Sequence, residues 1–391
     1  MIQVLAVTHS RDVTGAELSL FNIAPSVADR GIAMSLAACS SGELEKKWRQ
    51  IGLDFIPIDL PKRSGVRTSN GSKLNSLGEL VRLPFLTIIA VVRIAAAARR
   101  MDATVIHSNS IITHFDCAVA GLITGKKAVV ELHEIIAPGI GRLLLGLAVL
   151  LSSKAVANSN AVRDQLPRWA RWRSVVIHQG IDIERFSPVG PQTYWRKELT
   201  AEPDSLLVAA IGRIDREKGL HTLVEAVAEL RTRGIDAHLV LVGAPSKDDG
   251  SYLAELRTLA ARVLAGAFRV VPPVDDVALV LRAVDVLACL SVEEPFGLII
   301  LEAQACGVPV VVSAAGGPLD FITDRVTGML VSPGDPTAAA NAIEELFADD
   351  EIRERMVLTA RERVADEYTA QARAQLVVNT YWEVLHRRKA S

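Results

Sequence analysis

Long apolar runs are the first thing this chain lacks: no stretch reaches the ~20 unbroken apolar residues of a membrane-spanning helix. The oiliest segments are residues 83–98, interrupted by Arg93, and residues 141–151, which are too short. Both read as buried helices of an α/β domain. The start, M-I-Q-V-L-A-V-T-H-S, has no basic region and no cleavage site, so it reads as a first strand and not as a secretion signal. Cysteine is scarce as well. Cys39, Cys117, Cys289 and Cys306 stand far apart with no C-x-x-C pair. That suits reduced, buried thiols in a cytoplasmic protein better than a disulfide frame or a zinc site. A surplus of one charge is also missing, since the formal net charge is -2. A broad nucleic-acid-binding face is thereby disfavoured.

What is present is a globular composition, 50% hydrophobic and 23% charged, over 391 residues. That length suits two domains of roughly 150–200 residues each. Short apolar runs recur at 4–7, 35–38, 105–107, 128–132, 155–158 and 175–177. They continue at 206–211, 237–242, 268–271, 286–288 and 308–312. Helix-length stretches lie between them, such as 16–28, 219–231, 252–264 and 337–348. Buried parallel strands read as continuous apolar runs, and this alternation predicts two doubly wound sheets. Turn residues cluster in G-I-D-I-E-R-F-S-P-V-G-P from Gly180, where the join is expected. The expected domains are 1–182 and 183–371. A last helix, 372–391, carries large apolar residues and is expected to pack back on the first domain.

Residues 60–82 carry Lys62, Arg63, Arg67, Lys73 and Arg82 against a single acid, Glu79. The stretch reads either as a solvated loop or as a loop that meets anionic lipid or phosphate.

Ligands of open α/β sheets bind beyond the carboxyl ends of the strands. Three strand ends stand out. The first, T-H-S-R-D-V-T-G-A-E-L, places Gly15 before a helix but lacks G-x-G-x-x-G. The second, I-G-R-I-D-R-E-K-G-L, sets Arg213 and Lys218 at a strand end and a helix entry. The two cations suit a pyrophosphate, or they are surface residues of a turn. The third, S-V-E-E-P-F-G-L-I-I-L-E, has Glu294 before a helix N-terminus and Glu302 inside the helix. An unpaired buried carboxylate is costly, and vicinal hydroxyls would satisfy it. Otherwise these acids are solvated helix-start charges, and Glu293 reads as a solvated neighbour.

Glu294-x7-Glu302, followed by A-Q-A-C-G-V-P-V-V and Gly316-Gly317, resembles the signature of glycosyltransferase family 4. The likeness runs in order through T-G-A-E-L-S-L, I-H-S-N-S, V-V-E-L-H-E, N-S-N-A-V, V-I-H-Q-G-I-D-I-E-R-F and I-G-R-I-D-R-E-K-G. The resemblance implies the GT-B fold, two Rossmann-like domains facing a central cleft, and a retaining sugar transfer. Arg213 and Lys218 would hold the donor diphosphate, and Glu302 the ribose hydroxyls. Glu294, with the amides of Phe296, Gly297 and Leu298, would grip the transferred sugar. Gly15 would let the first-domain loop approach the diphosphate, and His133 matches the family's active-site histidine. Thr14-Gly15 stands where many members carry two glycines, and Gln179 where an asparagine is common. Asp182 reads as a structural turn residue. No D-x-D metal motif is evident, and His107, His114 and His178 show no metal-ligand spacing, so no metal and no cofactor are expected.

The implied activity is transfer of a hexosyl group from a nucleotide-diphosphate sugar, UDP-sugar first and GDP-mannose second. The acceptor would be a glycan or a lipid-linked intermediate of cell-envelope or polysaccharide synthesis. The enzyme would be cytoplasmic, and peripheral contact with the inner membrane face is a further expectation. Attack from the front face, with the leaving phosphate taking the acceptor proton, is inherited from the family. Another GT-B enzyme, such as a nucleotide-sugar epimerase or a glycoside phosphorylase, is an alternative. So is a non-catalytic sugar-nucleotide-binding protein.

Overall fold

The computed structural model describes residues 1–63, 77–190, 193–199, 202, 204–245 and 250–386. Arg67 and Lys73 of the basic stretch lie outside the described residues. The chain divides into two compact units: Met1–Gly180 with Ala370–Ser391, and Ile181–Thr369.

The first unit holds a wholly parallel sheet of β1 (Ile2–Val7), β2 (Ile32–Ala38), β3 (Phe55–Pro57), β4 (Val105–Ser108), β5 (Lys127–Leu132), β6 (Lys154–Ala157) and β7 (Ser174–Val176). Their order is β3-β2-β1-β4-β5-β6-β7. The chain therefore reverses its direction of travel between β1 and β4, which pair in parallel from Val4↔Val105 to Val7↔Ser108. That reversal splays the two following loops apart and leaves a crevice at the strand ends. Val4, Leu5, Ala6 and Val7 are all buried, as helices on both faces require. The last helix, Ala370–His386, returns to this unit, and its Ala374, Val377, Tyr381 and Val384 share a core with Val4, Leu20 and Val129.

The second unit repeats the plan with β8 (Leu206–Ile211), β9 (Ala237–Val242), β10 (Phe268–Val271), β11 (Val286–Cys289), β12 (Val310–Ser313) and β13 (Met329–Val331). Its order is β10-β9-β8-β11-β12-β13, again all parallel, with the reversal between β8 and β11.

Two expectations need correction. The segments around 83–98 and 141–151 form the helices Leu77–Arg100 and Ile140–Leu151, but neither is fully buried. Phe85, Ile88 and Val92 are exposed on one, and Ile140, Leu143, Leu144, Leu147 and Leu150 on the other. Arg93 is the one charge within 83–98 and Arg142 the one charge within 141–151, too few to mark an outer face, so the sequence pattern could not separate buried from bare. Arg63, grouped above with the solvated basic residues, is instead buried against Asp116, and its Nη1 donates to Thr87 Oγ1 at 3.1 Å. Among the described residues no helix is long and apolar enough to cross a membrane.

Candidate active site

In the second unit the residues singled out from the sequence gather at the β8/β11 switch point. β8 ends at Ile211, Gly212 and Arg213 follow, the Arg213 side chain is 63% exposed, and its Nη1 lies 3.2 Å from Asp215. A short 3-10 turn, Arg216–Lys218, leads through Gly219 into the helix Leu220–Thr232. Gly219 has φ +62°, and a Cβ there would come within 2.0 Å of the Leu290 carbonyl oxygen. Only glycine lets this turn press so closely on the end of β11. The Val292 amide then donates to the Glu217 carbonyl at 2.8 Å.

That approach brings Lys218 to Glu294: Nζ donates to Oε2 at 2.7 Å, and Ser291 Oγ donates to the same oxygen at 2.7 Å. Glu294 is 8% exposed. Burial opposes its ionisation, but the Lys218 ammonium outweighs this and holds the carboxyl below its ordinary range. Burial likewise works against the Lys218 charge, and Glu294 restores it and raises the ammonium pKa. The backbone of Glu294 is held by the glycine pair beyond β12, with the Gly317 amide donating to its carbonyl at 2.7 Å. Phe296 is buried, its ring 5.0 Å from that of Phe321. Gly297, at φ +92°, caps the helix Leu298–Ala305, whose first amides have no acceptor within the helix. The charge of Lys218 and these amides all serve to attract an anion at one strand end.

Glu302 lies in that helix, half-buried. Among the described residues no hydrogen bond or ion pair reaches its carboxylate. Desolvation pushes its pKa from 4.5 to about 7, opposed only by the distant charge of Arg185. A desolvated acceptor without a donor is what a ligand hydroxyl would satisfy.

In the first unit, Gly15 opens the helix Gly15–Ala28 after β1, and Thr14 and Glu17 tie the helix start to Thr8 at the end of β1. Gly15 does not have a positive φ, and a Cβ there would meet nothing within 4 Å. Neither backbone nor packing demands a glycine, so the open space above it is free for a ligand. His133 follows β5. Its Nε2 lies 3.0 Å from Asn109 Oδ1, and the Gln179 amide lies 3.4 Å from its Nδ1. The carbonyl acceptor calls for a proton on Nε2 and the amide donor for a bare Nδ1, which makes a neutral ring. Burial lowers the His133 pKa in agreement, Glu131 opposing and Arg373 reinforcing. Asn109 also donates to the Ala16 carbonyl at 2.8 Å, so His133 and the Gly15 helix start share one anchor.

Behind His133 lies a group that the sequence reasoning missed. Glu131 of β5 is 1% exposed and paired with Arg373 of the returning helix, which also donates to the Ser19 carbonyl at 2.6 Å. Its Oε2 lies 3.0 Å from His107 Nε2, an electrostatic contact and not an aligned hydrogen bond. His107 Nδ1 meets the Tyr381 hydroxyl at 2.9 Å. Burial raises the Glu131 pKa, but the Arg373 guanidinium outweighs it and holds the carboxyl well below the usual carboxylate range. His107 is thus structural, and so is His114, whose pKa burial lowers to about 3. Gln179 is part of the His133 surroundings. The signal for Glu131 was there: an acid inside a buried strand must have a partner.

The sequence model of Glycosyltransferase Family 4 matches residues 13–185, and that of Glycosyl transferases group 1 matches residues 191–363. Curated relatives include the D-inositol 3-phosphate glycosyltransferases of Stackebrandtia nassauensis and Mycolicibacterium gilvum. The former is 36% identical over 223 residues, 55% of this chain and 50% of that protein. The latter is 38% identical over 178 residues, 45% of this chain and 39% of that protein. The chain spans about half the length of the curated relatives it matches. Among solved structures, Anabaena HepE in complex with UDP and glucose superposes with a TM-score of 0.81 at 25% identity, covering 97% of this chain and 99% of that one. Sucrose-phosphate synthase from Thermosynechococcus elongatus shares the fold, with a TM-score of 0.77 at 22% identity over 99% of this chain and 100% of that one. With both family models matched in order along two Rossmann-like units, the chain belongs to glycosyltransferase family 4 and has the GT-B fold.

Proposed function

We propose that this protein is a retaining hexosyltransferase that takes its sugar from a nucleotide-diphosphate donor bound on the second unit. The observation that carries the reading is the Lys218–Glu294 pair at the N-terminus of the Leu298–Ala305 helix, with Glu302, unpartnered among the described residues, inside the same helix. Arg213 and Lys218 face the diphosphate and share the negative charge that grows on the leaving phosphate. Glu302 accepts from the ribose hydroxyls. Glu294 and the amides of Phe296, Gly297 and Leu298 hold the sugar. In the transfer the bond from the anomeric carbon to the phosphate oxygen breaks and a bond to the acceptor oxygen forms on the same face. The acceptor proton passes to the leaving phosphate. Gly15 and the neutral His133 are the first unit's contributions to the reaction.

UDP-sugars are the first choice of donor, which the complex of HepE with UDP and glucose supports, and GDP-mannose is the second. The acceptor is a glycan or lipid-linked intermediate of envelope or polysaccharide synthesis, worked on in the cytoplasm at the inner membrane face. No metal is required, because cations and helix amides already neutralise the diphosphate. The test is a thermal-shift screen over nucleotide-diphosphate sugars, followed by turnover with EDTA and NMR of the product. Stabilisation by one donor, EDTA-resistant turnover and a retained anomeric configuration are the expected results. An inverted product rejects the retaining mechanism. Free sugar 1-phosphate, or epimerised donor without acceptor, assigns one of the other GT-B reactions.

A further inference from the structure

The helix Ile140–Leu151 reads I-G-R-L-L-L-G-L-A-V-L-L, with Arg142 as its one charge. Leu145, Ala148 and Val149 turn inward and are buried, while Ile140, Leu143, Leu144, Leu147 and Leu150 stay exposed, Ile140 by 75%. Their spacing sets all five on one stripe, the face that a surface helix of a soluble domain normally fills with polar residues. The stripe continues onto a second element. A Cβ on Gly146 would lie 2.7 Å from the ring of Trp169, so the indole rests on the helix at that glycine. Gly146 is three residues beyond Leu143 and four before Leu150, the helical neighbours of both. Trp169 is 46% exposed and Trp172 62%.

Both tryptophans belong to R-W-A-R-W-R, residues 168–173, which also holds Arg168, Arg171 and Arg173. The Arg173 guanidinium lies 4.7 Å from the Trp172 ring centre. The acid nearest in sequence, Asp164, is occupied by Arg163 and Arg171. Bare aliphatics, then indoles, then arginines reproduce the layering of acyl chains, interface and anionic headgroups.

We propose that this surface docks on an anionic lipid bilayer, with the helix Ile140–Leu151 lying flat in the headgroup boundary. At ~1.5 Å per residue the helix is far shorter than the ~30 Å hydrocarbon core, so it lies on the membrane and does not cross it. Charge complementarity selects this occupant. A twofold contact with a second copy would carry the same arginines on both sides, whereas anionic headgroups supply the opposite sign. The inference deepens the lipid-linked acceptor proposed above and rests on that reading only for its use in the cell.

The test is flotation of the full chain with phosphatidylcholine vesicles, with and without phosphatidylglycerol, and without any donor. Binding should need phosphatidylglycerol, weaken with added salt, and fall about tenfold or more in the double variant Leu143→Gln, Leu147→Gln. Both positions are exposed, so an unchanged melting temperature is expected to accompany the loss. Absence of binding by the parent protein overturns the proposal, and so does undiminished binding by the double variant. A solution dimer that the double variant dissolves gives the surface to a second copy and overturns it too. Because no donor is present, vesicle binding without turnover would count against the proposed transfer alone.

Discussion

Each unit keeps a desolvated carboxylate near its switch point, and the two are treated in opposite ways. Glu131 is surrounded: Arg373 pairs with it, and His107 and His133 approach it at 3.0 and 3.6 Å. Its charge is stabilised despite burial. Among the described residues Glu302 has no such partners, and burial outweighs the opposing charge of Arg185, raising its pKa to about 7. A buried carboxylate paired with a buried cation is part of the scaffold, and one without a counter-charge leaves hydrogen-bonding capacity for something else. Lys218–Glu294 stands between these extremes, a partly buried pair whose cation side is still reachable.

The largest effect should come from the scaffold side. Arg373→Ala would leave Glu131 ionised and unpaired at 1% exposure. Breaking one partner from a buried pair costs about 3–5 kcal/mol, enough to threaten the first unit as a whole. The returning helix would lose its polar anchor at the same time. Calorimetry should resolve a large fall in the melting of the first unit, with the second unit little altered. A fall of a degree or less would mean that Glu131 simply takes up a proton, and the contrast with Glu302 would collapse.

Next in size are the cations of the second unit. Arg213→Ala removes a side chain that is 63% exposed, so stability should change by no more than ~0.5 kcal/mol. Turnover should nonetheless drop about 10²–10³-fold, as when one stabilising donor is removed from a developing oxyanion. Lys218→Ala should match that loss of turnover and also lower the melting temperature, because it strands Glu294. Steady-state kinetics and a melting curve on both variants separate the two roles. Near-normal turnover in either would remove it from the diphosphate.

The parallel sheets were legible because strands covered on both faces read as plain apolar runs. The three-residue edge strands β3 and β13 went unseen while β7, equally short, was found, because β7 runs on apolar into Ile177 whereas β3 ends at Pro57. Arg213, Lys218, Glu294 and Glu302 were visible as residues, since charge beside a glycine-rich strand end is conspicuous. Their contact was not: Lys218 and Glu294 are 76 positions apart, and the Gly219 approach that joins them exists only once the sheet has formed. Arg373 was less visible still, 242 positions from Glu131. The rule that made Glu302 conspicuous applied equally to Glu131 within V-V-E-L-H-E, but no rule of spacing says where its partner lies.

The smallest and most discriminating change is Glu302→Gln. In the folded protein Glu302 holds its proton up to about 7, while the unfolded chain releases it near 4.5. Over that interval the folded state binds more protons than the unfolded one, so stability falls as pH rises and the penalty is complete above 7. Glutamine carries no charge and escapes the penalty. The variant should therefore melt like the parent near pH 4.5 and higher than the parent at pH 8. Discounted for the partial access of solvent to Glu302, the gain is about 2 kcal/mol. Ligand response should move the other way, because a neutral amide is a weaker acceptor for two ribose hydroxyls than a carboxylate. The thermal shift produced by UDP should thus shrink in the variant even as its unliganded melting point rises. An equal change in melting at pH 4.5 and pH 8 would mean that Glu302 is solvated and ordinary. A full UDP shift in the variant would leave the ribose to another residue.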